Sequence, residues 1–132
     1  MDVAVLTSNL SSAVRLKVGA VAVKDRRIVA CGYNGKGQGE DNCCEDTLPD
    51  GRLVTKLNVI HAEDNLIRFA RGEGVNLHSC AIYITHAPCV GCATKIWQAG
   101  FTKVIYLYDY RDHEGINLLK EKYLVVEKYN YG

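Results

Sequence analysis

The spacing of apolar residues predicts that the chain begins with a helix and a β-hairpin. Apolar side chains recur at intervals of three and four along residues 3–14, which is the spacing of an amphipathic helix. Residues 18–24 are short, apolar and rich in valine, a composition typical of a buried strand. A tight turn at Asp25 and Arg26 leads into residues 27–33, so we predict an antiparallel hairpin.

The remaining sequence predicts one long loop and then alternating helices and strands. Glycines and a proline fall among Asp, Asn and Glu in residues 34–58, and a loop of this length in a compact domain is usually functional. After it we predict a helix at 61–71, a strand at 81–85, a helix at 89–99, a strand at 103–108, a helix at 112–122 and a strand near 123–127. This order predicts a single domain over residues 1–132, with a three-layer α/β/α fold around a mixed five-stranded sheet.

Composition and charge exclude several classes of protein. The 132 residues are 48% hydrophobic, which is enough for a core, but no run of about 18 apolar residues could span a membrane. The net charge is +1, from 16 basic and 15 acidic residues, which argues against a large binding surface for duplex nucleic acid. Asp2 stands where an export signal would carry a basic residue. We therefore expect a cytoplasmic protein, in which some of the six cysteines serve a metal or catalysis instead of disulfides.

Two short motifs predict a metal centre. His61 opens the first helix after the loop, and Cys89 begins the next helix, where the helix dipole stabilises a thiolate. Cys92 follows one turn later on the same side of that helix. These three ligands leave a fourth position open, which is the arrangement of a catalytic zinc. Glu63 is two residues from His61 and is placed to move protons between water and a substrate nitrogen.

Three other interpretations of these motifs have to be weighed: a structural zinc, a redox pair of cysteines, and a non-catalytic zinc module used for assembly. A structural zinc needs a fourth protein ligand, and no other Cys or His is so placed in the sequence. A redox pair would leave His61 and Glu63 without a role. Because the two motifs stand in the order of the zinc deaminase signature, we favour a catalytic zinc.

The chain resembles the cytidine deaminase superfamily and, within it, the deoxycytidylate (dCMP) deaminases, including those of bacteriophages. The superfamily resemblance rests on three motifs: His61-Ala62-Glu63 with Asn65, Pro88-Cys89-Val90-Gly91-Cys92, and Gln98-Ala99-Gly100 followed by Val104-Ile105. The segment Val18-Gly19-Ala20 followed by the turn Gly32-Tyr33-Asn34-Gly35 narrows it to the nucleotide branch. The resemblance implies a cytidine-deaminase-like fold and hydrolytic deamination of dCMP to dUMP and ammonia in pyrimidine nucleotide metabolism. It also implies that zinc-bound hydroxide attacks the base while Glu63 shuttles protons.

The resemblance extends to the substrate contacts. It implies that the backbone N–H of Ala62 binds the base carbonyl and that Asn34 contacts the sugar. Asn is also common at a turn that ends a strand, so a purely structural Asn34 is the alternative.

A nucleotide also needs donors for its phosphate. We predict Arg15 and Lys17, before the first strand, and Tyr110 and Arg111, after the fourth, because ligands of α/β sheets bind at this end.

Further expectations concern metals, effectors and assembly. Some phage relatives bind a second zinc near the positions of Cys43 and Cys44, but the sequence lacks the additional ligands, so we expect one catalytic zinc. Many dCMP deaminases are hexamers that dCTP activates and dTTP inhibits, and Arg71 resembles a position linked to that control. The resemblance thus implies a homo-oligomer, with a hexamer favoured, and the host cytoplasm as its location if the protein is viral.

Alternative substrates for the same zinc chemistry are a modified cytosine nucleotide, a free nucleoside, a tRNA adenosine or a cytosine in single-stranded DNA. Nucleic-acid deaminases need a basic surface and exposed aromatic side chains for flanking bases. The chain is nearly neutral and only 8% aromatic, which makes nucleic acid the weaker alternative.

Overall fold

The computed structural model describes residues 1–13, 16–35, 44–55, 60–110 and 112–131. These residues contain four helices and seven strands. In chain order they are α1 (Asp2–Ser8), β1 (Gly19–Lys24), β2 (Arg27–Tyr33), β3 (Glu45–Thr47), β4 (Leu53–Thr55), α2 (Ala62–Glu73), β5 (Ala81–His86), α3 (Val90–Ala99), β6 (Lys103–Tyr108), α4 (Glu114–Glu121) and β7 (Val125–Lys128). None of the helices among these residues has the length and apolar character needed to cross a membrane.

The main sheet has five strands in the order β2-β1-β5-β6-β7. The pairs β1–β2 and β1–β5 are antiparallel, whereas β5–β6 and β6–β7 are parallel, so the predicted mixed five-stranded sheet is confirmed. Because β1 runs against β5, the start of β1 lies at the same edge of the sheet as the carboxyl ends of β5 and β6. The predicted tight turn is also present, since Asp25 and Arg26 both have positive φ, at 51° and 65°.

Two glycines show that helices cover both faces of the sheet. Gly19 on β1 lies against the backbone of α1, and a side chain there would collide with Ala4 and Ser8. Gly32 on β2 lies against α2, where an added Cβ would be 2.6 Å from the Ala62 carbonyl oxygen. Gly32 pairs with Ala20, the residue after Gly19, and successive residues of a strand face opposite sides. Helices α1 and α2 therefore pack on opposite faces.

Helices α3 and α4 share the face of α2. One buried cluster joins Leu66 of α2, Ile96 of α3 and Leu119 of α4 to Ile84 and Val104 of the sheet. Burial of these large apolar side chains is the main favourable contribution to folding. The layers are thus α1, the sheet, and α2–α4, and the predicted three-layer α/β/α architecture is confirmed.

The first helix is shorter than predicted. It ends at Ser8 instead of residue 14, and Leu6 and Leu10 of the predicted apolar stripe are 66% and 67% exposed. The hydroxyl of Thr7 donates to the carbonyl of Val3 at 2.7 Å, and this kind of bond competes with helix continuation. Farther on, Ser11 donates to the carbonyl of Asn34 at 2.7 Å, so the chain leaves the helix to join the end of β2.

The prediction of an unbroken loop over residues 34–58 was wrong for its described part. Residues 44–55 contain the antiparallel pair β3–β4, closed by a turn in which Gly51 has a φ of 88°. Three-residue strands are too short for a period-two pattern to be visible in the sequence. The other predicted helices and strands are present, with ends shifted by one or two residues.

Candidate metal centre and active site

The two predicted metal motifs lie at the starts of α2 and α3. Helix α2 leads into β5 and α3 leaves from it, so both N-terminal ends meet at the carboxyl edge of β5. His61 is the N-cap residue of α2 and Cys89 is the N-cap residue of α3, both with extended backbone. Neither side chain caps its own helix. Both are therefore available for interactions across the gap between the helices.

His61, Cys89 and Cys92 form the one group of potential metal ligands that the described residues contain, with ligand atoms all within 4.8 Å of one another. His61 Nδ1 lies 3.2 Å from Cys92 Sγ and 3.6 Å from Cys89 Sγ. Ligands of a tetrahedral zinc with these atom types would be roughly 3.5 Å apart. The nitrogen and two sulfurs are also a donor set that zinc prefers. The three residues thus fit a zinc ion in both separation and chemistry.

Hydrogen bonds within this group place one negative charge on Cys89. The Cys92 thiol and the His61 ring both donate to Cys89, which lowers the pKa of Cys89 to about 3. The same bond to Cys89, together with burial, raises the pKa of Cys92, because Cys92 keeps the proton that the pair shares. The Cys89 thiolate in turn raises the pKa of His61. Metal binding would displace these protons, since zinc takes thiolates and a neutral imidazole.

Glu63 is a buried carboxyl in the first turn of α2, only 4% exposed. Burial raises its pKa, although a hydrogen bond from its own backbone N–H and the charge of His61 act in the opposite direction. Contact with the Cys92 thiol also lowers its pKa, so Glu63 adjoins the metal ligands. A carboxyl with a raised pKa returns a proton more readily than an ordinary carboxylate does.

The residue before His61 is held by hydrogen bonds that were not predicted from the sequence. Ile60 and Gly35 exchange two backbone hydrogen bonds, of 3.0 and 2.6 Å. The side chain of Asn65 donates to the carbonyl of Tyr33 at 2.7 Å and approaches that of Ile60 at 3.5 Å. Asn65 lies one helical turn after His61 and belongs to the motif that carries the family resemblance, which was the signal available in the sequence. These bonds attach the start of α2 to the end of β2.

A charged contact joins the helices that carry the ligands. Lys95 on α3 donates to Asp64 on α2 at 2.9 Å, and Arg68 lies 3.3 Å from the same carboxylate oxygen. The two cations lower the pKa of Asp64, against the opposing effect of its partial burial. Asp64 and Lys95 are 31 residues apart, so no local pattern in the sequence could reveal the pair.

Helix α4 supports the start of α3. A side chain at Gly115 would collide with the carbonyl of Pro88 and would lie 2.9 Å from the backbone of Cys89. The backbone of α4 therefore packs directly on the segment that presents the first cysteine ligand. Glycine is required here for close approach, and no motif indicated this in the sequence.

The side chain of Asn34 binds the main chain of the segment before β1. Its carbonyl oxygen accepts from the N–H of Val18 at 2.9 Å, and its amide donates to the carbonyl of Leu16 at 2.7 Å. This is the structural role expected of an Asn at a turn that ends a strand. The second amide hydrogen remains for another acceptor, so the predicted sugar contact stays a prediction.

The other predicted substrate residues are only partly described. Ala62, for which a base contact was predicted, is fully buried as the first residue of α2, where backbone N–H groups lack partners within the helix. Lys17 is exposed just before β1, and Tyr110 is half-buried just after β6, so both lie at the edge that holds the metal group. Arg15 and Arg111 lie outside the described residues.

Two further predictions concern Arg71 and the cysteine pair Cys43 and Cys44. Arg71 is exposed in the last turn of α2, at the opposite end of that helix from His61. Cys43 lies outside the described residues, and Cys44 is buried, with its sulfur 3.5 Å from the hydroxyl of Ser12. The prediction of a single zinc stays a prediction.

Comparisons with known proteins identify the family to which the chain belongs. Residues 1–108 match the family model described as the cytidine and deoxycytidylate deaminase zinc-binding region. The deoxycytidylate deaminase of Saccharomyces cerevisiae is 31% identical over 137 residues, covering 99% of this chain and 44% of the relative. ComE operon protein 2 of Bacillus subtilis is 40% identical over 106 residues, covering 78% of this chain and 54% of the relative. The chain thus spans about half the length of these relatives.

A solved structure is similar over nearly the whole chain. The crystal structure of dCMP deaminase from the cyanophage S-TIM5, in complex with dCMP and dUMP, has a TM-score of 0.89 and 39% identity. The match covers 97% of this chain and 92% of that one. These findings confirm the family resemblance and the prediction of zinc as the cofactor, with His61, Cys89 and Cys92 as its candidate ligands. The chain belongs to the cytidine and deoxycytidylate deaminase zinc-binding family.

Proposed function

We propose that this protein deaminates dCMP hydrolytically, converting dCMP and water into dUMP and ammonia. The observation that carries the proposal is the meeting of His61, Cys89 and Cys92 beside the buried carboxyl of Glu63. The choice of dCMP is supported by the solved relative of 39% identity, whose complex contains dCMP and dUMP. We propose further that residues 1–132 act as a single domain.

The chain's own residues account for the proton transfers that this reaction needs. When bound, zinc supplies the Lewis acidity that makes water a nucleophile at neutral pH. Glu63 takes the proton that water loses and gives it to the base nitrogen, and a second transfer protonates the leaving amine. Its raised pKa suits this exchange, because a strongly acidic carboxylate would not return the proton. The N–H of Ala62, at the positive end of α2, binds the base carbonyl.

The phosphate of the nucleotide is assigned to the edge where β1 begins and β6 ends. We propose that Lys17 and Tyr110 contribute to its binding, together with Arg15 and Arg111. Lys17 is exposed two residues before β1 and Tyr110 follows β6 by two residues, which supports their inclusion. Asn34 contacts the sugar through the amide hydrogen that Leu16 does not use.

Assembly and regulation form a separate part of the proposal. We propose a homo-oligomer, with a hexamer favoured, that responds to dCTP and dTTP through a site that includes Arg71. Exposed apolar side chains on α2 and α3, Phe69 at 50% and Trp97 at 41%, are compatible with contacts between copies. Sedimentation velocity tests the assembly, and dCMP saturation curves with and without each effector test the control. A monomer, or curves that neither nucleotide changes, would contradict this part alone.

A substrate panel tests the catalytic proposal. Ammonia release is measured with the zinc-loaded protein on dCMP, dCTP, deoxycytidine, cytidine, adenosine, a 5-substituted dCMP and a short single-stranded oligonucleotide. We expect dCMP to be the preferred substrate and Glu63→Gln to lower its turnover by about a hundredfold or more. Release from the oligonucleotide alone, or preference for the free nucleoside, would reject dCMP as the substrate. Unchanged turnover in Glu63→Gln would reject the assignment of the proton carrier.

A further inference from the structure

His86 is a half-buried histidine at the edge of the sheet that carries the metal group. It is the last residue of β5 and stands three residues before Cys89. It pairs in register with Tyr108 of β6, and the two rings are 5.1 Å apart at an angle of 41°. It follows Ile84 by two residues, so it lies on the sheet face that α2, α3 and α4 cover.

The hydrogen bonds of Thr85 determine which ring nitrogen of His86 carries the proton. Thr85 is only 2% exposed, and its hydroxyl accepts from the N–H of Gly19 at 3.1 Å. The same hydroxyl lies 2.9 Å from Nδ1 of His86. If Nδ1 were the donor, the hydroxyl proton of Thr85 would be buried without a partner, which is costly. The network therefore assigns Nδ1 as the acceptor and places the ring proton on Nε2.

The Nε2–H group of His86 is a neutral donor without a partner among the described residues. Burial lowers the pKa of His86, so the ring is uncharged at neutral pH. Because no buried side-chain nitrogen or oxygen among the described residues lacks a partner, Nε2 is open to solvent or to a ligand. The ring is held by Thr85 and Tyr108, so the structure presents this donor at the sheet edge that carries the metal group.

We propose that His86 is a substrate-binding residue whose Nε2–H donates to a phosphoryl oxygen of the nucleotide. This inference rests on the proposed function, in which the base lies between the starts of α2 and α3. The His86 ring lies against Tyr108 of β6, whereas α2 packs on β1 and β2. Tyr110 follows two residues after the end of β6. A phosphoryl oxygen is the strongest acceptor that a nucleotide offers to a neutral donor.

Two substitutions of His86 separate the hydrogen bond from the packing. His86→Phe keeps a ring against Tyr108 but removes the donor, whereas His86→Gln can supply an N–H near the position of Nε2. We expect His86→Phe to raise KM for dCMP by about tenfold to a hundredfold, as for a lost bond to a charged group, with kcat little changed. KM for deoxycytidine stays at its original value, and His86→Gln restores most of the affinity for dCMP. His78→Phe, at an exposed histidine elsewhere, serves as the matched control.

The same variants distinguish failure of this inference from failure of the proposed function. Equal losses for dCMP and deoxycytidine, no loss for either, or no recovery in His86→Gln would each overturn the phosphate contact. If the wild-type protein does not deaminate dCMP, the proposed function fails by itself. Calorimetric binding of dUMP and deoxyuridine then replaces kinetics, and the contact predicts weaker binding of dUMP alone by His86→Phe. Equal binding of dUMP by wild type and His86→Phe would overturn it.

Discussion

The metal group and the Asn34 turn lie at the same edge of the sheet but use their polar side chains in opposite ways. His61 and Cys89 occupy N-cap positions, yet neither bonds to its own helix, and their side chains meet one another. Asn34, in contrast, binds the main chain of Leu16 and Val18. Polar side chains that make no hydrogen bond to the nearby main chain and instead converge on one another indicate a metal or catalytic site. A polar side chain that bonds to the main chain indicates a structural role. The following predictions test this contrast.

The largest effect is expected from Glu63→Gln. Glutamine keeps the shape of the side chain but cannot take up or return a proton, so kcat should fall by about a hundredfold to ten-thousandfold. Metal content and thermal stability should stay near the wild-type values, because Glu63 is not among the three ligands. The control is Glu73→Gln, at the exposed end of the same helix, which should leave kcat unchanged. Loss of metal from Glu63→Gln would show that Glu63 supports the centre instead of moving protons.

The next effect is expected from Cys92→Ser, which removes a sulfur ligand. Metal affinity, measured by competition with a chelator, should fall by more than about a hundredfold, since losing even an outer partner of a ligand typically costs about tenfold to a hundredfold. Cys31→Ser is the matched control, because Cys31 is an exposed cysteine on β2. Equal affinities in the two variants would contradict the assignment of Cys92 as a ligand.

Asn34→Ala should instead lower the free energy of unfolding, by about 1–3 kcal/mol, because the Val18 N–H and the Leu16 carbonyl lose their partner. Metal affinity should not change. Asn76→Ala is the control, since the Asn76 side chain accepts one exposed bond from the N–H of His78, and its loss should cost less. If Asn34 also contacts the sugar, KM for dCMP rises in Asn34→Ala. A stable variant with an altered KM would make that contact the main role of Asn34.

The same contrast explains how much could be predicted from the sequence. His61 is separated from Cys89 and Cys92 by one helix and one strand. Because one histidine and two cysteines in this order are typical of a zinc site, the three ligands were predicted from the sequence, and they do converge in the structure. The hydrogen bonds of Asn65 were not predicted, although Asn65 belongs to the motif, and Asp64 and Gly115 were missed as supporting residues. Their partners are distant in the sequence and their residue types are common. The five strands of the main sheet were predicted from runs of apolar residues. Helix α1 ends earlier than predicted, because the hydroxyls of Thr7 and Ser8 bond to carbonyls of the helix.

A smaller effect is expected from the ion pair between Asp64 and Lys95, which joins the two ligand-bearing helices. The side chains are 14% and 48% exposed, so Lys95→Met or Asp64→Asn should weaken metal affinity by no more than about 1 kcal/mol. If the pair acts by holding the helices together, the double variant should lose no more than either single variant. Lys103→Met, which breaks a 3.6 Å pair between β6 and β7, is the control. Additive losses would instead indicate two independent effects.

His86 bonds to Thr85 through Nδ1 and leaves Nε2 without a partner among the described residues, and its pH dependence gives the smallest expected effect. Burial lowers the pKa of His86, so as pH falls below about 6.5 the unfolded chain binds a proton before the folded protein does. That proton uptake favours unfolding, and the stability is lost progressively until the pH reaches the lowered pKa of the folded state. The difference in unfolding free energy between wild type and His86→Phe should therefore be constant above about pH 7 and shift against the wild type below about pH 6.5. His86→Gln should give the same profile in urea titrations, although the two variants differ in KM for dCMP. A difference that does not change with pH would mean that the His86 ring is not kept neutral by burial.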